Sequence, residues 1–110
     1  MSSILCKIVF LAPTGQPLNL SVFSNSSTSI YVTWEAPDYY LRNGIIERYI
    51  IFYNASTGEN KNITTNQTFY MFENFKKYTN YTFAVQAVNQ IGKGPFMYIT
   101  EQTMEDGKSY

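Results

Sequence analysis

From Pro17 onward the chain alternates apolar and polar positions with a period of two. In "SIYVTW", Ile30, Val32 and Trp34 alternate with Ser29, Tyr31 and Thr33, the pattern of a strand with one apolar face. "YIIFY" sets Tyr49, Ile51 and Tyr53 on one side, and "YTFAVQAV" does the same for Tyr81, Phe83, Val85 and Ala87. Helical spacing is nowhere sustained. Turn-forming stretches interrupt the alternation about every ten residues: "SNSST", "APDYYLRNG", "NASTGEN", "NFKKYTN" and "NQIGKGP". The pattern predicts seven strands, over residues 18–22, 29–34, 47–53, 61–65, 68–73, 81–89 and 98–103. Short strands at this rhythm, rich in Tyr, Phe, Val, Ile and Thr, predict an all-β protein, a seven-stranded antiparallel β-sandwich.

The inward sets of two such sheets meet across a core about 10 Å thick. Trp34, Tyr49 and Tyr81 are the large side chains expected to anchor it. Tyr81 follows the corner "FKKYTNY", and a Tyr there has a specific use. Its ring enters the core while its hydroxyl bonds a backbone group a few residues upstream, pinning the corner between the fifth and sixth strands.

A chain of 110 residues has room for one such core. Eight basic and eight acidic side chains cancel, so no field of one sign is present to attract nucleic acid or acidic lipid. Neither is expected as a partner. There is no histidine and a single cysteine, Cys6, which removes His-based general-base chemistry, the usual zinc sets and any internal disulfide. The acids Asp38, Asp106 and six glutamates show no paired spacing. Neither enzymatic activity nor a cofactor or metal is expected.

The first sixteen residues differ from the rest. Residues 4–12 form an apolar run broken by Lys7, far short of the ~20 residues of a membrane helix. The run has the length of a signal-peptide core but lacks its basic start, carries Lys7 inside and puts Pro13 where cleavage would fall. A cleaved signal therefore ranks behind an extra strand or a non-native start. Residues 1–16 are read as an apolar extension, an extra strand or a non-native start, ahead of a domain over 17–104 and a tail over 105–110.

Beyond periodicity, "PLNLSV", "IYVTWEAP", "NGIIERYIIFY", "FENFKKYTNYTFAVQAVNQIGKGP" and the closing "EQT" resemble, in order and spacing, the fibronectin type III domain. Trp34, Tyr49, Tyr53, Phe75, Thr79, Tyr81, Ala87, Val88, Asn89, Gly92 and Gly94 fall in step, and Lys77 departs where the family usually has proline. The resemblance implies an extracellular module used in tandem arrays of adhesion proteins and receptors. The asparagine-rich style, with no cysteine pair, is similar to repeats in receptor-type protein tyrosine phosphatases and neural adhesion proteins. Two specialised versions are set aside: the loop "NQIGKGP" holds no Arg-Gly-Asp, and "GPFMY" with one cysteine supplies neither the tryptophan box nor the cysteine pairs of cytokine receptors.

Six Asn-x-Ser/Thr triplets begin at Asn19, Asn25, Asn54, Asn62, Asn66 and Asn80. Ten asparagines and twenty Ser or Thr would give about two by chance, so the excess points to a glycoprotein surface. Alternation turns Asn19 and Asn80 outward. The topology gathers Asn25, Asn54 and Asn80 at one end. At the other end the second-to-third and sixth-to-seventh loops are left comparatively bare, and they carry Tyr39, Tyr40, Leu41, Arg42, Ile91 and Lys93. Exposed Tyr beside Arg is the composition of an interface hot spot. The structural alternative, an aromatic lid over Trp34 with Ile91 capping its turn, takes precedence, and the hot spot stands as a hypothesis.

The functional expectation is a non-enzymatic extracellular module of a larger cell-surface protein, acting as spacer and interaction domain toward its neighbours, with no direct membrane contact. The alternative is a soluble domain that self-associates through residues 4–11 by adding a strand to a neighbour's sheet edge.

Overall fold

A computed structural model describes residues 11–102. Residues 4–10 of the apolar run, Cys6 and the tail lie outside the described residues. Seven strands follow in order: β1 (Leu18–Ser26), β2 (Ser29–Glu35), β3 (Arg48–Ala55), β4 (Asn60–Thr65), β5 (Phe69–Phe72), β6 (Asn80–Val88) and β7 (Lys93–Gln102). They form two antiparallel sheets, one ordered β1-β2-β5 and the other β4-β3-β6-β7. The expected sandwich is therefore the observed architecture.

The inward sets anticipated from alternation are the core. Ile30, Val32 and Trp34 of β2 face Tyr49, Ile51 and Tyr53 of β3 and Tyr81, Phe83, Val85 and Ala87 of β6, all buried. Aromatic rings dominate the end near the β5–β6 corner. Tyr53 meets the rings of Phe72, Phe75 and Tyr81 edge to face, with centroids 5.3, 4.9 and 5.8 Å away. Phe75 stacks on Tyr81 at 3.9 Å. Such pairs contribute about 0.5–1.5 kcal/mol each beyond their buried area.

The corner itself is closed by the Tyr81 hydroxyl, which accepts a hydrogen bond from the Lys76 backbone N–H at 2.8 Å. The Thr79 hydroxyl donates to the Lys77 carbonyl at 2.8 Å, while Asn74 and Tyr78 take left-handed backbone angles of 63° and 54°. Lys77, in place of proline, leaves this tie intact.

The two strands that run furthest beyond the alternation, β1 and β7, both carry bulges. In β1, Asn19 sits at φ 52° and the register slips between Leu18 and Ser21, so Leu20 is buried while Leu18 is 39% exposed. Asn19 is outward because of this bulge and not because of alternation with Leu18. The seventh strand begins at Lys93, five positions before 98. There Ala87 of β6 faces two residues, Gly94 and Pro95, between the pairs Gln86↔Phe96 and Val88↔Lys93. A proline and two glycines mask a strand in sequence, yet a bulge on an edge strand accommodates them.

Tyr81→Phe removes only the acceptor of the Lys76 N–H, and it is expected to cost about 1–2 kcal/mol in urea denaturation with the fold retained. An unchanged midpoint would show the corner is held by ring packing alone. Burial is the main cause that pushes the Tyr49, Tyr53 and Tyr81 hydroxyls above the ordinary 10.0. Arg42 opposes the shift at Tyr49, and the Lys76 N–H opposes it at Tyr81; Glu59 adds to it at Tyr53 and Tyr81. In the unfolded chain these phenols ionise first. Their contribution to stability is therefore complete below pH 10.0 and is lost as pH rises through the higher folded values. Denaturation midpoints should be level up to that pH and fall beyond it, tracking phenolate absorbance; a level midpoint throughout would contradict the burial of these hydroxyls.

Candidate functional site

Residues 36–47 join β2 to β3 and begin with a single helical turn, Tyr39–Leu41. Asp38 starts it by accepting from the Tyr40 N–H at 3.0 Å. A turn this short buries neither face, so Tyr39 and Tyr40 stand 72% and 85% exposed. Their rings meet edge to face at 5.4 Å. Arg42 donates from Nε to the Pro37 carbonyl at 2.8 Å, which holds its guanidinium 5.5 Å from the centre of the Tyr39 ring. Asn43 at φ 53° and Gly44 at φ 129° then reverse the chain.

The expected lid over Trp34 is absent from this loop. Trp34 instead meets Tyr49 of β3 edge to face at 5.6 Å. The two loop tyrosines stand exposed, while Ala36 and Ile46 of the same segment pack against the core.

The six residues anticipated at this end are spread over two adjoining depressions and their surroundings. Tyr39, Tyr40 and Arg42 line an open cavity of about 640 Å³ shared with Ile46 and Tyr49. Ile91, in the β6–β7 loop, lines an adjoining depression that shares Asn43, Gly44 and Ile45 with the first. Leu41 turns toward the segment ahead of β1, and Lys93 is exposed at the start of β7. Ile45 escaped notice in the sequence because its neighbour Ile46 masks it in an apolar pair; it is 85% exposed.

Between these loops runs the chain that leads into β1. The Leu41 carbonyl accepts from the backbone N–H groups of Thr14 at 2.9 Å and Gly15 at 3.2 Å. Asn43 Nδ2 donates to the Ala12 carbonyl at 2.9 Å. The fit is close: a Cβ on Gly15 would stand 2.7 Å from Leu41 Cβ, and one on Gly94 would stand 2.9 Å from the Pro13 carbonyl oxygen.

The centre of the arrangement is Asn89, 2% exposed. Its Nδ2 donates to the carbonyls of Leu11 at 2.8 Å, Arg42 at 3.0 Å and Asn43 at 3.1 Å. Its Oδ1 accepts from the N–H groups of Ile91 at 2.8 Å and Gly92 at 3.1 Å. One buried amide thus ties three segments: the incoming chain, the β2–β3 loop and the β6–β7 loop. A primary amide suits the place because it offers donors and an acceptor without charge.

The family model for the fibronectin type III domain matches residues 15–103. The chain is a fibronectin type III domain. Over 108 residues it is 43% identical to the cell adhesion molecule DSCAM of Homo sapiens and 41% identical to that of Rattus norvegicus, covering 90% of this chain and 5% of each relative. The chain therefore spans about one-twentieth of the length of these relatives. Among solved structures, the third fibronectin III domain of human KIAA0343 protein aligns with a TM-score of 0.78 at 24% identity, covering 100% of this chain and 96% of that one. That likeness concerns the fold.

On this fibronectin type III domain the asparagines of all six triplets, Asn19, Asn25, Asn54, Asn62, Asn66 and Asn80, are exposed. Asn54 and Asn80 share one end, where the Ser56 N–H donates to the Asn80 carbonyl at 2.9 Å. The opposite end is less bare than the sequence indicated. Asn66, in the β4–β5 turn, lines the same cavity as Tyr39 and Tyr40, so a sugar there would stand on its rim.

Replacing Asn89 by Ala leaves the Ile91 and Gly92 N–H groups and three carbonyls without this partner. The expected cost is roughly 2–3 kcal/mol, with faster amide hydrogen exchange at Ile91 and Gly92. Native-like exchange at both positions would show that the loops hold without the amide.

Proposed function

We propose that this domain is a non-enzymatic extracellular repeat of a cell-surface adhesion receptor, acting as a stiff spacer that fixes how the preceding part of the parent chain approaches it. The observation that carries the reading is the fastening of residues 11–15 between the β2–β3 and β6–β7 loops. A module joined ahead of Leu11 would meet the exposed side chains of this same end, Tyr39, Tyr40, Ile45 and Ile91. Contacts between consecutive domains are commonly small and polar, which permits relative motion. A hydrogen-bonded lead segment and an apolar landing surface work against that motion.

The relatives described above are named as cell adhesion molecules, so an adhesion parent is favoured over a receptor-type tyrosine phosphatase. Neutral charge and the exposed asparagines fit a surface that carries N-linked sugar and meets proteins. The competing role, self-association through residues 4–11, separates from this one by light scattering of the full chain against a chain starting at Gly15. A monomer in both removes it.

Two measurements test the proposal. Secretion from a mammalian host should add glycan mass that a glycosidase removes, and an unmodified mass would contradict the glycoprotein reading. In a parent fragment containing this domain and the one before it, Tyr39→Ser with Tyr40→Ser should broaden the distribution of interdomain distances measured by spin-label spectroscopy. Its effect on domain stability should stay within about 0.5 kcal/mol. An unchanged distribution would show that the tyrosines take no part in the junction.

A further inference from the structure

Half of the β4-β3-β6-β7 sheet's side chains point away from the core, and this outer face has an unusual centre. By register its rows run Asn60, Asn54, Thr82 and Thr100; then Asn62, Phe52, Ala84 and Tyr98; then Thr64, Ile50, Gln86 and Phe96. The outer face of an antiparallel sheet is ordinarily polar. Here Phe52 packs edge to face on Phe96 at 5.3 Å, and Phe96 lies 5.6 Å from Tyr98, which is 62% exposed. An aromatic platform therefore faces outward, bordered by polar rows.

Sugar acceptors stand along one side of the platform. Asn62 is the direct cross-strand partner of Phe52, and such partners have Cβ atoms about 4.5–5.5 Å apart. Its triplet is well presented, because Asn62 and Thr64 both point outward while Ile63 between them packs toward the core. Asn54 and Asn80 lie on the same face. A protein partner approaching the platform would have to pass any sugar they carry, whereas a sugar on Asn62 begins beside the platform.

We infer that an N-linked glycan on Asn62 covers this face, its first N-acetylglucosamine lying against Phe52 and the following sugars extending toward Phe96 and Tyr98. This rests on the reading of the domain as a glycoprotein. The chemistry is complementary: one face of the pyranose ring presents mainly C–H groups, so laying it on an aromatic ring removes apolar surface from water while its hydroxyls stay hydrated. The linkage to Asn62 makes the contact intramolecular, so no association entropy opposes it. Phe52, Phe96 and Tyr98 then act as a sugar-binding platform for the chain's own modification.

The test uses the full chain secreted from a mammalian host as four proteins: unsubstituted, Asn62→Gln, Phe52→Thr and both together, with Asn66→Gln as a control for sugar elsewhere. Glycopeptide masses report occupancy at each asparagine, and thermal melts report stability. The expected result is an occupied Asn62. Losing its sugar should lower Tm by about 4 °C when Phe52 is present and by less than about 1 °C when Thr replaces it, while Asn66→Gln leaves Tm within about 1 °C. An occupied Asn62 whose loss lowers Tm equally in both backgrounds, or not at all, overturns the inference and leaves the glycoprotein reading standing. A bare Asn62 with sugar on other asparagines does the same. Absence of sugar from all six overturns both.

Discussion

Everything at the loop end of this domain depends on one uncharged amide buried where three segments meet. Asn89 ends a run of buried residues one position beyond the sixth strand, and its two polar atoms serve five backbone groups from the lead segment and both loops. A buried polar group that lacks its partners costs about 1–3 kcal/mol, so the loops have little freedom to rearrange without it. That rigidity passes outward to Leu41 and Asn43, which hold the incoming chain, and it leaves Tyr39, Tyr40 and Ile45 free to face solvent.

The opposite end is held by apolar means. With Cys6 the only cysteine, no disulfide within the chain can clamp the corner before β6, and stacked Phe75 and Tyr81 with the Lys76 hydrogen bond close it. The sandwich is therefore pinned at both ends by single side chains, a tyrosine hydroxyl at one and an asparagine amide at the other. Between them lies a continuous core from Trp34 to Phe83. Sheet edges are guarded differently again. Strand β4 exposes Asn60, Lys61 and Asn62, a polar edge ill-suited to pairing with another chain.

Most of the fold was legible in the sequence because period-two alternation reports which face of a strand is buried. The inward sets of β2, β3 and β6 follow it throughout. It failed where a bulge shifts the period, at Asn19 in β1 and at Gly94 and Pro95 in β7. The site was less legible. Tyr39 and Tyr40 stood out by composition, but composition carries no information on whether a ring folds back or projects. Asn89 was visible only as a residue in step with the family pattern, since its five partners come from segments as far as 78 positions away. The platform of Phe52, Phe96 and Tyr98 is a product of register, which sets side by side residues that no local motif connects.

The central claim is that the segment leading into the first strand belongs to the rigid body of the domain. Backbone order parameters from nuclear relaxation test it most directly. Residues 12, 14 and 15 are predicted to show values near those of the strands, about 0.85; values below about 0.6, typical of a free tail, would contradict it.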